Sequence, residues 1–280
     1  MFGTMTSRPL ALSPSRASDY KQCPLLYRLR AIDRLPEPKT EAQVKGTLVH
    51  AVLEEMHGWP REQRTYPAAV KRIVPAWEKL VAEDPSVEEP VADRTQLFVD
   101  ARTLIRGYFH MENPLGFDST EQEMYVDGVL PNGVPVRGFI DRVDVAPTGE
   151  VRVVDYKTGK KPQPRYSGDA QFQMRFYALV YWRFFGTIPA QLRLMYLKVI
   201  DSMFLAPSRE ELEYFERDLG DLWAKIEADG RGGTFRPRTS KLCGWCSFQA
   251  ICPAFGGTPP VYPGWPGGAL IDDSPTHPED

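Results

Sequence analysis

The sequence predicts an α/β protein, a mixed sheet flanked by helices, and three observations carry that class. Apolar residues recur at helical spacing through residues 41–57, at Val44, Leu48, Val49, Val52, Leu53 and Met56. Three β-like runs follow one another at 121–127, 133–145 and 150–157, the last two separated by the turn signal Pro147-Thr148-Gly149. An apolar, aromatic helix, DAQFQMRFYALVYWRFF, then leads to a fourth strand at 191–199.

In chain order, Ser13-Pro14 reads as an N-cap with proline at the first helical position, opening a helix that delivers Cys23. After the 41–57 helix, mixed segments at 61–83 and 91–112 read as helices of an insert forming a lobe. The β-meander, the aromatic helix, a strand at 191–199, a further strand at 202–206 and a helix at 209–228 complete the order. The expected organisation is a flexible N-terminus over 1–11, one domain over 12–255 with its helical insert at 61–112, and a disordered tail over 256–280. That tail holds six prolines and five glycines.

Composition sets outer limits. A chain of 280 residues buries a sizeable core. Its net charge of −3 does not announce a nucleic-acid binder, although a local basic groove would suffice. Lys160, Lys161 and Arg165, close in sequence to Lys157, are the candidate patch, and Arg231, Arg236, Arg238 and Lys241 form a second. No run of eighteen apolar residues exists and the N-terminus lacks a secretory h-region, so the expected compartment is the cytoplasm. No GxxxxGK[ST] motif is present; any ATP-driven motor is expected on a separate chain.

The chemistry concentrates in GFIDRVD at 138–144 and VVDYKTG at 153–159. Two antiparallel strands joined by the 147–149 turn bring Asp141 and Asp155 together, and repelling carboxylates are comfortable only with a shared proton or a cation. Lys157, two residues after Asp155, points to the same strand face. The set suits metal-assisted phosphodiester hydrolysis with Mg²⁺ or Mn²⁺; the bland alternative is a solvated surface hairpin.

Four cysteines stand as Cys23 alone and Cys243, Cys246 and Cys252 in CGWCSFQAIC. A split 1+3 set suits a four-thiolate site joining the N- and C-terminal regions. Zinc ribbons show two C-x2-C pairs and this chain has one, so a [4Fe–4S] cluster fits better than zinc. Disulfides are disfavoured without a secretory signal, and buried reduced thiols are the other reading.

Together GTLVH at 46–50, GFIDRVD, VVDYKTG, QMRFYA at 173–178 and the cysteine set resemble the PD-(D/E)XK nuclease superfamily. The resemblance is to the RecB-like exonuclease branch with an iron–sulfur cluster, which includes the AddB nuclease domain and the exonucleases of CRISPR adaptation. It runs from about Leu12 to Phe255. It implies a restriction-endonuclease-like core and an Fe–S staple. It also implies that His50 completes a metal shell with Asp141 and Asp155, and that Gln173 and Tyr177, a QxxxY pair one helical turn apart, face the site and contact DNA. The Tyr156 carbonyl is expected as a further metal ligand, Lys157 as the group assisting water, and Glu54, one turn after His50, as its orienting partner. His57 and His110 read as structural, near helix ends where a cation suits the dipole.

The expected function is a metal-dependent DNA exonuclease preferring single-stranded ends, in DNA repair or recombination, with a separate helicase or repair protein as partner. The alternatives are a non-catalytic DNA-binding module of a repair complex and a structure-specific endonuclease. The intact D…DxK set argues against the first, and how DNA enters the site decides the second.

Overall fold

A computed structural model describes residues 10–266. In chain order these form α1 (Pro14–Gln22), α2 (Pro24–Tyr27), α3 (Glu41–His57), α4 (Tyr66–Lys71), α5 (Ile73–Glu83), α6 (Arg94–Met111), β1 (Glu121–Val129), β2 (Pro135–Val145), β3 (Val151–Lys157), α7 (Gly168–Phe185), β4 (Gln191–Tyr196), β5 (Asp201–Leu205) and α8 (Arg209–Gly232). The chain divides into a larger unit, Glu37–Gly220, and a smaller one that pairs the residues up to Pro36 with those from Asp221 onward.

The larger unit is built on one five-stranded mixed sheet in the order β1-β2-β3-β4-β5. Hairpins join β1 to β2 and β2 to β3 in antiparallel register, and β4 pairs with β5 the same way. β3 and β4 run parallel, Asp155 opposite Leu194 and Lys157 opposite Tyr196. A parallel pair needs a crossover, and α7 supplies it. Central β3 is buried along most of its length, as a strand covered on both faces should be.

α3 begins at a capping box: Gln43 N–H donates to Thr40 Oγ1 at 3.3 Å, and Thr40 N–H donates to the Gln43 side chain at 2.8 Å. Its apolar stripe, Val44 to Met56, packs into a core with α5, α6, the sheet residues Val154, Tyr156 and Met195, and Leu197 just past β4. The 61–112 segment, expected as a helical insert, packs into this core: Trp77, Leu97, Ala101, Ile105 and Tyr108 are all buried there. Gly107 on α6 lies so close to the turn after β4 that a Cβ would stand 2.1 Å from the Leu197 carbonyl oxygen.

His57 shares this interior, and the expectation of a cation at a helix end does not hold for it. It is buried, with Nε2 accepting from Tyr108 Oη (2.9 Å) and Arg142 (3.1 Å). Burial and the charge of Arg142 push its pKa down to about 3, so the ring is neutral. Arg142 itself is fully buried, with Glu112 (2.7 Å), Asp144 (3.0 Å) and the Tyr156 hydroxyl (2.7 Å) answering its donors. Those partners satisfy a charge that would otherwise be prohibitive to bury. His110 is exposed on the last turn of α6.

In the smaller unit, Ser13 caps α1 as its sequence indicates, accepting from Arg16 N–H at 3.2 Å. Tyr20 donates to Asp229 at 2.7 Å, and the Tyr27 and Phe235 rings stack with centroids 6.2 Å apart. The expectation of a disordered tail from Gly256 needs correction as far as Trp265. Tyr262 donates to the Gly230 carbonyl at 2.8 Å, Arg28 donates to the Pro260 carbonyl, and the Trp265 ring occupies the space a Gly230 Cβ would fill. Prolines there stiffen an extended strap whose aromatic residues supply the anchoring. Leu10 and Ala11, at the end of the segment expected to be flexible, are buried. Residues 1–9 and 267–280 lie outside the described residues.

Candidate metal centre

The site begins where two strands part. β2 pairs with β3 from Val145–Val151 to Arg142–Val154 and no further, while β2 stays paired with β1 to Val136 and beyond. At the fork Asp141 takes over from the main chain: its Oδ2 accepts the Tyr156 N–H at 2.6 Å. A strand that diverges leaves main-chain donors to be satisfied, and a carboxylate at the fork does so while presenting its charge to the gap.

His50 reaches this gap from α3. Its Nε2 lies 2.9 Å from the Tyr156 carbonyl oxygen, which can only accept, so Nε2 carries the proton. Nδ1 then faces the carboxylates, 3.5 Å from Asp141 and 3.7 Å from Glu123. The Tyr156 carbonyl, expected as a metal ligand, accepts from the imidazole and so orients it. Glu54, the expected orienting partner, lines the adjoining cavity, and the partner that faces Nδ1 beside Asp141 is Glu123.

Ligand atoms of His50, Glu123 and Asp141 lie within 4.8 Å of one another. Glu123 is the residue that sequence reasoning missed. The signal was present in the hairpin register: the Pro131-Asn132-Gly133 turn sets pairs Gln122–Arg142 and Met124–Ile140, which places residue 123 across from 141.

Asp155 is engaged differently from the simple pairing with Asp141. Lys157 Nζ lies 2.6 Å from its Oδ1, and Gln173 Nε2 donates to its Oδ2 at 2.6 Å. Its charge still acts on the centre. Burial raises the Asp141 pKa and the neighbouring Asp155 raises it further, against the opposing pull of His50. Burial disfavours a charged His50, but the carboxylates of Asp141, Glu123 and Asp155 outweigh it and lift the pKa to about 9. Lys157 is also partly desolvated, and Asp155 keeps it cationic, its pKa raised.

Tyr177, one turn beyond Gln173 and hydrogen-bonded to it, is nearly buried, its ring against Gly138 at 3.2 Å from where a Cβ would stand. The structure brings Gln173 to Asp155 and makes Tyr177 a packing support behind it. Lys161 is committed to Asp201 at 2.7 Å and the Ser202 carbonyl at 3.0 Å, whereas Lys160 is exposed. A cavity of about 930 Å³ opens beside the centre, lined among others by His50, Glu54, Arg72, Lys79 and Glu123, so that α5 forms its far wall.

The donor set fits a hard divalent cation. It offers an inward-facing imidazole nitrogen, Nδ1, that becomes a ligand on losing its proton, and carboxylate oxygens whose mutual repulsion a cation relieves. The family model of the PD-(D/E)XK nuclease superfamily matches residues 11–253. The chain belongs to the PD-(D/E)XK nuclease superfamily. The chain is 31% identical over 199 residues to the Gene 69 protein of Mycobacterium phage D29, covering 62% of this chain and 70% of that one. It is 26% identical over 164 residues to an ATP-dependent helicase/deoxyribonuclease component of Streptococcus mutans, covering 55% of this chain but only 14% of that one. The solved structure of a putative exonuclease from Eubacterium rectale has a similar fold, with a TM-score of 0.54, 13% identity, and coverage of 85% of this chain and 87% of the other.

The four cysteines fall in the smaller unit and line one pocket, with Leu25, Leu29 and Phe248 among its walls. Main-chain donors point at two of the sulfurs: Arg238 N–H at Cys23 Sγ and Ser240 N–H at Cys243 Sγ, each at 3.3 Å. No helix among the described residues is long and apolar enough to cross a membrane.

Proposed function

We propose that this protein is a metal-dependent deoxyribonuclease acting from single-stranded DNA ends, with His50, Glu123 and Asp141 as the metal-binding core and Asp155 beside them. The observation that carries the reading is the convergence of an inward-facing imidazole nitrogen with two carboxylates at a strand fork, next to the Asp155–Lys157 pair. Mg²⁺ or Mn²⁺ held there would supply positive charge to the phosphodiester and acidify water. The protein's own groups do the rest. Tyr156 fixes the imidazole tautomer through its carbonyl, so Nδ1 stays available. Gln173 and Lys157 hold Asp155 in place, and Lys157 keeps a proton at Nζ beside the phosphate, where it positions the nucleophile or steadies developing charge. Tyr177 braces Gln173, and Lys160, exposed just past β3, contacts the DNA backbone.

The cysteine pocket supports a [4Fe–4S] cluster bound by Cys23, Cys243, Cys246 and Cys252. All four thiols line one pocket, which suits a four-thiolate group, and the single C-x2-C pair favours iron–sulfur over zinc. The directed N–H donors suit thiolates. The setting we infer is cytoplasmic DNA repair or recombination beside a separate helicase, a reading supported by the likeness to a helicase/deoxyribonuclease component.

The test is a time course with end-labelled linear and covalently closed circular single strands in Mn²⁺, alongside the Asp141→Asn variant. Degradation of the linear strand only, lost in the variant and in chelator, is expected. Equal rates on both strands would replace the exonuclease reading with an endonuclease. Brown, iron-containing protein that turns colourless in Cys252→Ala is expected for the cluster; stoichiometric zinc would overturn it.

A further inference from the structure

The hairpin that supplies Glu123 and Asp141 also carries two aromatic side chains that the core does not use. Tyr125 and Phe139 are cross-strand partners, with ring centroids 4.9 Å apart and planes tilted by 44°. They are 43% and 54% exposed. Tyr125 follows Glu123 by two residues and Phe139 precedes Asp141 by two, so each ring is rooted about 7 Å along its strand from a carboxylate of the centre.

Burial was available to this hairpin. Val126 and Val136 are buried, and the Gly138 position is closed by the Tyr177 ring of α7. The alternate positions 125 and 139 nonetheless hold large rings in solvent. Scattered exposed apolar residues are ordinary; a paired aromatic surface beside a charged centre is a patch. Its polar neighbours tell against a phosphate: the Tyr125 hydroxyl donates to Asp127 at 2.5 Å, and Asp127 lies 3.9 Å from Arg137, so the nearby cation is already answered by an anion. What the surface offers is a π-face. Bases within a duplex already stack on their neighbours, whereas an unpaired base has a face to give.

We propose that Tyr125 and Phe139 form a stacking platform for an unpaired nucleobase, about one nucleotide from the phosphodiester at the His50–Glu123–Asp141 centre. The platform rests on the nuclease reading above and deepens it, because it selects single strands at the point of cleavage.

Two measurements separate the two ideas. Fluorescence anisotropy with a labelled oligothymidylate, Ca²⁺ replacing Mn²⁺, reads binding; hydrolysis of bis(p-nitrophenyl) phosphate in Mn²⁺ reads the centre without any base. The Tyr125→Ser/Phe139→Ser variant is expected to bind the oligonucleotide about 10- to 100-fold more weakly while hydrolysing the small diester at the wild-type rate. Wild-type protein should lose a similar factor on an abasic oligonucleotide, to which the variant is indifferent. Phe139→Trp should bind at least as tightly as wild type, a result that a folding defect could not give. Variants that distinguish normal from abasic strands by the wild-type ratio would overturn the platform while diester hydrolysis keeps the nuclease reading. Base-dependent binding by a wild type that hydrolyses neither substrate would do the reverse.

Discussion

Glu123 faces Asp141 across the β1–β2 ladder from the left-handed region of backbone space, at φ +43°, between the regular pairs Gln122–Arg142 and Met124–Ile140. A glutamate gains nothing intrinsic from that conformation, which costs an L-residue about 1–2 kcal/mol, and it adds a negative charge beside Asp141. Strain and repulsion at one residue are what a ligand held ready for a cation would show. Glu123→Asn keeps a residue that tolerates the left-handed region and removes the charge. Without metal the variant should unfold at a free energy about 1 kcal/mol higher in urea melts, yet bind Mn²⁺ at least about tenfold more weakly by calorimetry. Weaker folding together with unchanged metal affinity would show that Glu123 is structural.

Metal binding should be strongly pH-dependent. The cation needs the Nδ1 lone pair of His50, and in the metal-free protein a proton holds that position with a pKa raised to about 9. Below about pH 9 binding must expel this proton, so apparent affinity should rise close to tenfold per pH unit between 7 and 9 and then level. Calorimetry in buffers of different ionisation heat should count about one proton released at pH 7.5. The same raised pKa means that the ion pairs of His50 stabilise the metal-free fold fully below about pH 6.5 and are lost as pH rises through 9.

His57 works in the opposite direction. Its folded pKa is lowered to about 3, so between about pH 6.5 and 3 the unfolded chain binds a proton that the folded chain refuses. Stability contributed by the neutral ring is whole above about 6.5 and declines as pH falls, by about 1.4 kcal/mol per unit from this one residue. His57→Gln should be less stable at pH 7.5 and have a visibly shallower acid limb in denaturant melts between pH 6 and 4.5.

Gly107→Ala tests the core. The added Cβ would meet the Leu197 carbonyl at 2.1 Å, and both partners are main-chain elements that cannot rotate away. Helix propensity alone would favour alanine by about 1 kcal/mol. Overpacking should win, with a net loss of about 2 kcal/mol in chemical denaturation.

Much of this architecture was legible because local rules and tertiary structure agree. Ser13-Pro14 opens α1, the apolar stripe of α3 faces the core, and the β-meander falls close to its expected limits. The acidic residues on β2 and β3 were found through their strand positions, since alternation and register are sequence properties. Glu123 escaped because its role depends on which residue the first hairpin sets opposite Asp141, and its positive φ leaves no mark in composition. Asp155's commitment to Gln173 and Lys157 was equally hidden, because it arises where a helix crosses a sheet end. The strap to Trp265 was misread for a compositional reason: proline and glycine suggest disorder, and only the contacts of Tyr262 and Trp265 reveal that it is anchored.

The parallel pairing of β3 with β4 through α7 bears on how a cell makes this protein. The centre draws on α3, on the fork between two hairpins and on the crossover helix α7, which follows both in the chain. A chain still on the ribosome with 150 residues made would have His50, Glu123 and Asp141 but neither the Asp155–Lys157 pair nor the Gln173 that holds it. On the roles proposed for Asp155 and Lys157, the site is complete only once β3 and α7 have joined the earlier elements.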